Sequence, residues 1–199
     1  MTVDEYFRFE ETSPVKHEYV AGDVYAMSGT TARHDRIATN VLVRLSLAAR
    51  SGRCDVFSDS MRVQVAGDRY YYPDVSVVCT PVAGSDIVVR NPCVVVEVTS
   101  PSTTRIDHGE KLDAYRSIPT LQAYLIIDHR RRRVERHARD AQIGAWQREE
   151  ILGEARVRVP CLDVELTLDE IYERVEVPAV SEPDPIGYEV SGYDTDADE

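Results

Sequence analysis

The sequence predicts an α/β domain in which a mixed β-sheet is flanked by helices. Two segments with the character of buried strands, CVVVEVTS (93–100) and LQAYLIID (121–128), are separated by a helical stretch from Arg105 to Ser117. Strands joined through a helix are typical of sheets whose faces are covered by helices. A long amphipathic pattern from Thr31 to Arg50 predicts one of the covering helices.

The N-terminal elements follow from capping and alternation. Residues 2–12 are predicted to form a short helix, because Thr2 and Glu5 have the spacing of a capping box. Residues 17–28 alternate apolar and polar side chains around Ala21-Gly22-Asp23, which predicts an N-terminal β-hairpin. The domain is therefore expected to begin with a helix and a hairpin, followed by the long helix.

The segments on either side of the central strands complete the sheet. Strands are predicted at 54–65 and 70–79, and an outer β-hairpin is predicted from 131–139 and 144–152. Residues 157–175 are predicted to form a short strand, a turn and a closing helix. The order strand, strand, strand, helix, strand indicates a mixed sheet covered by helices.

The chain divides into a folded part and an acidic C-terminal tail. Its 199 residues suit one domain, which we place at residues 1–175. Residues 176–199 contain eight acids, no Lys or Arg and little periodicity, so we expect this tail to be disordered. The tail carries most of the net charge of −12. Acidity therefore weighs against nucleic acid as a partner without excluding it, since the domain can still carry a local basic face.

Composition also bears on compartment. No apolar run reaches the roughly 18 residues that span a bilayer, and the acidic N-terminus does not resemble a secretory signal, so we expect a cytoplasmic protein. The cysteines have no CxxC or zinc-finger spacing, and we expect buried free thiols at Cys54, Cys79, Cys93 and Cys161. Four histidines without partner spacing are expected at the surface: His17, His108, His129 and His137.

Two acids stand where acids are unfavourable. Glu97 interrupts the apolar run 94–98, and Asp74 interrupts the run 72–78. An ionised carboxylate buried in such a strand is costly unless it is paired or bound to a metal. One such acid could simply accept a backbone hydrogen bond or pair with an arginine. Two acids on adjacent strands repel each other, and a divalent cation such as Mg²⁺ would relieve that repulsion.

A lysine on the following helix completes a candidate site. Asp107, Lys111 and Tyr115 are spaced four apart, so they share one helix face. Lys111 could lie against the end of the strand that carries Glu97, where it would orient an attacking water and offset phosphate charge. The alternative is a solvent-facing Asp107–Lys111 pair, which would contribute only a few tenths of a kcal/mol.

These residues lie within a recognisable pattern. The dipeptide PD at 73–74, followed by EVT at 97–99, resembles the PD-(D/E)XK signature of restriction-endonuclease-like nucleases. The wider pattern resembles the Uma family of bacterial restriction-endonuclease-like proteins, once classed as a domain of unknown function. The segments that carry this resemblance are HEYVAGDVYAMSG (17–29), YYYPDVSVV (70–78) and VVVEVTSPSTTRIDHGEKLDAYRSIP (94–119). The resemblance implies a restriction-endonuclease-like fold over residues 1–175.

The resemblance also implies roles for individual residues. Asp74, Glu97 and the Val98 backbone carbonyl would bind Mg²⁺, with Mn²⁺ as a substitute. The lysine of the wider superfamily would stand at position 99, where this chain has Thr99. The lysine is therefore assigned to Lys111 on the next helix, and Thr99 could hydrogen-bond a water at the site.

Three further features each have two interpretations. Glu18 is an additional metal ligand, direct or through water, by resemblance to the family, or an exposed strand acid. His34 contacts phosphate or the metal, or it is a helix-capping or hydrogen-bonded histidine. The basic stretch contacts backbone phosphates, or it is a solvated turn and edge strand. This stretch comprises Arg130, Arg131, Arg132 and Arg133.

Three functions follow from this reasoning. The first is a Mg²⁺-dependent endonuclease that hydrolyses DNA, with RNA not excluded as a substrate. The second is a catalytically silent module with a nuclease fold that binds nucleic acid or a protein partner, which the net acidity and Thr99 favour. The third is a metal-dependent hydrolase of another phosphoester. Analogy with related folds also predicts a homodimer formed through the outer hairpin and an edge strand.

Overall fold

The computed structural model describes residues 1–27, 29–99 and 104–177. In this part of the chain the helices are α1 (Val3–Thr12), α2 (Ala32–Ala49), α3 (Thr104–Asp107), α4 (Glu110–Arg116) and α5 (Leu168–Ile171), with a 3-10 turn at Pro160–Leu162. The strands are β1 (His17–Val20), β2 (Asp23–Ala26), β3 (Asp55–Ser58), β4 (Arg62–Ala66), β5 (Arg69–Tyr71), β6 (Val75–Val78), β7 (Val88–Val89), β8 (Pro92–Val98), β9 (Ala123–Ile127), β10 (Val134–Arg139), β11 (Trp146–Ile151), β12 (Arg156–Val159) and β13 (Val164–Thr167). The predicted acidic tail lies outside the described residues from position 178 onward.

Two mixed sheets form the body of the domain. One has the strand order β11-β10-β9-β8-β6-β3, and the other has the order β2-β1-β5-β4-β7. In the first sheet only β8 and β9 run parallel, and the chain between them forms α3 and α4. A parallel pair needs a crossover connection, and a helix is its usual content. The predicted mixed sheet flanked by helices is therefore confirmed.

The two faces of the six-stranded sheet pack against different helices. Val94, Val96 and Val98 belong to the core cluster that includes the apolar stripe of α2. Val95 belongs to a second cluster, which includes the buried residues of α4. Because successive side chains along a strand point to opposite faces, Glu97 lies on the α4 side with Val95. Strand alternation thus aims this acid at the helix that carries the lysine.

Three predicted elements are divided in the structure. The strand predicted at 70–79 is two strands, because β5 belongs to the five-stranded sheet and β6 to the six-stranded sheet. The strand predicted at 54–65 is two strands in different sheets, since β3 pairs with β6 and β4 pairs with β5. A turn closed by the Met61 amide on the Ser58 carbonyl separates them. The helix predicted from Arg105 to Ser117 is broken at Gly109, whose backbone is not helical. The N-terminal hairpin, the outer hairpin and the capping box of α1 are confirmed.

The predictions for cysteines and histidines were wrong. All four cysteines are joined, Cys54 to Cys79 and Cys93 to Cys161, so no free thiol is present. Three of the four histidines predicted at the surface are buried, namely His17, His129 and His137. Each is buried against a polar partner that tertiary packing supplies: Glu10 of α1 for His17, Thr99 for His129, and Glu135 with Arg116 for His137. Across the described ranges, no helix combines the length and the apolar character that crossing a bilayer requires.

A buried polar network ties the outer hairpin to α4. Glu135 on β10 is hydrogen-bonded to His137 and accepts a 2.6 Å bond from Arg148 on β11. Arg116 of α4 donates to Nδ1 of His137 at 2.7 Å, so the Nε2 of this histidine carries the proton and donates to Glu135. The His108 ring, between α3 and α4, lies 3.9 Å from Glu135. The hairpin therefore supports the segment that carries Lys111.

This network predicts a specific loss of stability in acid. Burial alone would raise the pKa of Glu135, but the bonds from His137 and Arg148 outweigh it and hold that pKa at about 2, below the ordinary value of 4.5. A depressed carboxyl pKa stabilises the folded state above the unfolded pKa, by up to about 3 kcal/mol here. That contribution disappears as the pH falls from 4.5 towards 2. We therefore expect the difference in unfolding free energy between wild type and Glu135→Gln to shrink across this window.

Urea unfolding between pH 7 and pH 2 measures this difference. The control is Glu149→Gln, which removes an exposed carboxylate from β11. A stability difference for Glu135→Gln that is the same at every pH would show that the network does not hold a carboxylate.

Candidate active site

Glu97 is the buried acid around which the candidate site is built. It lies near the end of β8, is 5% exposed and faces α4. Its Oε1 accepts hydrogen bonds from Lys111 Nζ at 3.1 Å and from the Tyr115 hydroxyl at 3.0 Å. Lys111 and Tyr115 are one turn apart on α4, which explains why both reach the same oxygen.

Asp74 lies beside the same strand end, directly before β6. Its Oδ2 accepts a 2.6 Å hydrogen bond from the Val98 amide, and its Oδ1 lies 2.9 Å from Nε2 of His34. His34 stands in the first turn of α2, which Thr31 caps. The carboxylate is therefore held by a backbone amide on one side and by an imidazole on the other.

Lys111 also lies close to two further acids. Its Nζ lies 2.8 Å from Glu18 Oε1 and 3.9 Å from Asp107 Oδ1. Glu18 comes from β1 of the five-stranded sheet, whereas Glu97 comes from the six-stranded sheet. The ammonium is therefore an ionic link between the two sheets. The alternative of a solvent-facing Asp107–Lys111 pair does not occur, because both residues are buried.

The electrostatics of the site are dominated by buried negative charge. Burial raises the pKa of Glu97 well above its usual value, and the neighbouring carboxylates raise it further against the opposing effect of Lys111. Burial would lower the pKa of Lys111, but Glu97, Glu18 and Asp107 outweigh it and the pKa is raised. Lys111 therefore stays protonated at neutral pH. Among the described residues, three carboxyl groups, those of Glu97, Glu18 and Asp107, converge on this single ammonium, and Asp74 stands beside them at the end of β8.

Thr99 and the arginines lie elsewhere. The Thr99 hydroxyl is 3.3 Å from Nδ1 of the buried His129, so it is engaged with the loop after β9. Arg132 pairs with Asp169, and Arg133 lies 3.1 Å from Glu150. The backbones of Arg130 and Arg131 are tied to Asp128, and both residues are exposed. Half of the predicted basic stretch is thus used in ion pairs within the fold.

Sequence reasoning missed one feature of the site. The Lys111 ammonium lies 5.4 Å from the centre of the Tyr71 ring, so an aromatic face covers the cation. A signal was available in the composition, since Lys16 and Lys111 are the chain's two lysines among 23 basic residues. A buried lysine in a chain that otherwise uses arginine indicates that a compact point charge is required.

A mixed sheet with two acids at neighbouring strand ends, and a crossover helix that supplies a lysine, defines a protein of the restriction-endonuclease-like class. The chain belongs to the Uma2 family, described as "putative restriction endonuclease", whose model matches residues 3–170. Two uncharacterized proteins of Synechocystis sp. (strain PCC 6803) are similar to it. One, sll1609, is 34% identical over 77% of this chain and 89% of its own, and the other, slr1290, is 30% identical over 86% and 91%.

The fold recurs in a solved structure. A crystal structure described as a "putative nuclease belonging to DUF820" from Anabaena variabilis ATCC 29413 superposes with a TM-score of 0.74. The match covers 88% of this chain and 99% of the other at 18% identity. At that level of identity the likeness establishes the shared fold.

The buried ion pair predicts a strong, coupled effect on stability. Lys111→Met would leave Glu97 and Glu18 without their cation, and breaking a buried pair in this way costs about 3–5 kcal/mol. Adding Glu97→Gln to Lys111→Met should restore part of that loss, because the double variant buries one charge fewer. Chemical denaturation of the two single variants and the double variant measures the coupling.

The chain's other lysine is the matched control. Lys16 forms an exposed ion pair with Asp59, and Lys16→Met should change the unfolding free energy by less than about 1 kcal/mol. Strictly additive effects of Lys111→Met and Glu97→Gln would contradict the interaction described here.

Proposed function

We propose that this protein is a Mg²⁺-dependent endonuclease that hydrolyses phosphodiester bonds in DNA, with Asp74, Glu97 and Lys111 as its catalytic residues. The observation that carries the proposal is the convergence of three buried or half-buried carboxyl groups on one buried ammonium, with a fourth carboxylate, Asp74, bonded to the Val98 amide next to Glu97. Such an excess of negative charge is unfavourable in a protein interior unless a cation compensates it. Membership of a family described as restriction endonucleases supports the same reaction class.

The donor set fits magnesium. Within the described residues, no three carboxylates bring their oxygens within 4.8 Å of one another, so no all-protein cage is formed. Mg²⁺ usually binds through one or two carboxylates, keeps several waters and takes the remainder from substrate phosphate. Asp74 and Glu97 would hold the ion, with Mn²⁺ as a substitute. A bound divalent ion supplies Lewis acidity, polarising a phosphodiester and lowering the pKa of water.

The backbone of Val98 supports its assignment as a third ligand. Its amide donates to Asp74. In an extended strand the amide and the carbonyl of one residue point to the same side, so the Val98 carbonyl is also directed towards Asp74. Glu18, whose Oε1 lies 2.8 Å from Lys111 Nζ, would contribute a further ligand through water.

Lys111 would act as an electrostatic and hydrogen-bonding group. Its raised pKa keeps it charged, so it cannot accept a proton at neutral pH and does not serve as the general base. It would instead orient the attacking water and stabilise the charge that develops on phosphate as the phosphorus–oxygen ester bond breaks. Tyr115, whose pKa is raised by burial, stays neutral and holds Glu97 in place. His34 would hold the Asp74 carboxylate in place in the same way.

DNA in the cytoplasm is the substrate that we propose. The cleavage assay below distinguishes DNA from RNA. The exposed arginines Arg130 and Arg131 would contact backbone phosphates. The homodimer predicted by analogy stays a prediction, as does the silent nucleic-acid- or protein-binding module. The silent module is the second candidate because Thr99 stands where the superfamily has its lysine. In the endonuclease, Lys111 would supply the positive charge that Thr99 lacks.

Cleavage assays test the catalytic assignment. Wild type should cut supercoiled and linear DNA in Mg²⁺ or Mn²⁺, and Asp74→Asn and Glu97→Gln should each reduce the rate at least about 100-fold. Glu149→Gln, which removes an exposed carboxylate, should cleave at the wild-type rate. RNA substrates run in parallel identify the preferred nucleic acid.

The competing outcomes are distinct. Cleavage that survives both Asp74→Asn and Glu97→Gln would refute the assigned site. Absence of cleavage by wild type, together with no divalent-ion binding in calorimetry and unchanged stability of Glu97→Gln, would establish the silent module instead.

Phosphate contacts by the arginines predict a salt effect. In the inactive Glu97→Gln background, Arg130→Ala with Arg131→Ala should weaken DNA binding and reduce the slope of log affinity against log salt by about 0.9 for each lost contact. Fluorescence anisotropy at several salt concentrations measures this slope. Arg158→Ala, which removes an exposed arginine from β12, is the control. An unchanged slope in the double variant would exclude these arginines from the interface.

A further inference from the structure

Four cysteine sulfurs meet at one place, although the cysteines lie on four separate segments. Cys54 directly precedes β3, Cys79 directly follows β6, Cys93 lies on β8, and Cys161 lies in the 3-10 turn Pro160–Leu162. The Sγ atoms of Cys79 and Cys93, which belong to different disulfides, are only 3.5 Å apart. The two disulfides therefore form one cluster of four sulfurs.

This cluster is separate from the candidate active site. Cys93 belongs to the core cluster on the α2 side of the six-stranded sheet, because the pairing of β8 with β6 shifts register between Pro92 and Val94 and the alternation is broken there, whereas Glu97 faces α4. Cys54, Cys79 and Cys161 pack against the same α2-side core. Within the described residues, Cys79, Cys93 and Cys161 are also the one group of three or more His, Cys, Asp or Glu side chains with ligand atoms mutually within 4.8 Å.

We propose that these four cysteines, in their reduced form, bind one Zn²⁺ ion through four thiolates. A tetrahedral zinc site with four cysteines has Zn–S bonds of about 2.3 Å, which places its sulfurs about 3.8 Å apart. The 3.5 Å between Cys79 and Cys93, and the 4.8 Å limit that includes Cys161, match this spacing. Cys54 is bonded to Cys79 but lies outside this group of three sulfurs, and reduction of its disulfide would free its side chain to turn towards them as the fourth ligand.

Conversion of the two disulfides to four thiols requires a thiol reductant. Each disulfide accepts two electrons and two protons from a dithiol, which is itself oxidised to a disulfide. The four protein thiols then release four protons as Zn²⁺ binds, because thiolate is the form that ligates the metal. A reducing compartment, such as the cytoplasm expected from the sequence, supplies the dithiol class of reductant and favours the thiol form.

A Zn²⁺ ion together with four thiolate ligands carries a net charge of −2, and the surroundings of the cluster suit such a site. A surface groove of about 440 Å³ borders Cys54 and is also lined by Arg50 and Arg53. The groove provides a route for the ion, and its lining is net positive because these two arginines outnumber its one acid, Asp55. The donor set contains sulfur alone, and soft thiolate donors select zinc over the hard cations that suit the carboxylate site.

Metal analysis of the full-length protein tests this site. Protein purified anaerobically with a non-thiol reductant should contain about one zinc ion per chain when its metal content is measured by elemental mass spectrometry. About four equivalents of an organomercurial, one for each thiolate, should release the ion. Replacement by Co²⁺ should give the sulfur-to-cobalt charge-transfer band and the intense visible bands of a tetrahedral thiolate site. Chelation should lower the unfolding temperature, because the ion links β3, β6, β8 and the 3-10 turn.

Variants separate this site from the proposed catalytic one. Cys93→Ser and the more peripheral Cys54→Ser should lose the cobalt–thiolate spectrum, whereas Glu97→Gln should keep it. Circular dichroism identifies any variant that fails to fold, and the metal content and mercurial titration of wild type do not depend on the variants. Two disulfides mapped in the reduced, zinc-supplied preparation, or four free thiols without metal, would overturn the proposal. So would a zinc ion that is lost in Glu97→Gln and retained in Cys54→Ser.

Discussion

The ion pairing of Lys111 with the surrounding acids is the interaction on which the arrangement of the site depends. A buried ammonium is stable only when anions surround it, and here three acids from three separate elements do so. Each of these acids is in turn stabilised in the interior by the lysine. Neither side of this pairing could be buried alone, so the site forms as one cooperative unit.

The same contact joins the two sheets. Glu18 belongs to the five-stranded sheet and Glu97 to the six-stranded sheet, and both lie within 3.1 Å of one nitrogen. The network of Glu135, His137 and Arg116 then fastens α4 to the outer hairpin. The position of the ammonium therefore depends on both sheets and on the hairpin. This dependence gives a physical reason for the family resemblance to extend over nearly the whole chain.

Strand β8 connects the two sites that we propose. It carries Cys93 near its beginning and Glu97 near its end, and these side chains belong to opposite faces of the sheet. Hard carboxylate oxygens gather on one side and soft sulfurs on the other. The two sites therefore differ in the class of ion that each would select, oxygen-preferring magnesium at one and thiolate-preferring zinc at the other.

The sequence by itself determined the mixed sheet, the crossover helix and the acids placed within apolar strands, because these follow from local periodicity and from the cost of burying charge. It also indicated Lys111 from helical spacing. Tertiary structure alone decided that Asp107 is buried, that His34 reaches Asp74, and that Glu18 pairs with Lys111. These contacts join residues 40 or more positions apart, or residues on either side of a helix break at Gly109. The meeting of the four cysteines has the same origin, since strand pairing across the sheet, and no spacing along the chain, brings their sulfurs together.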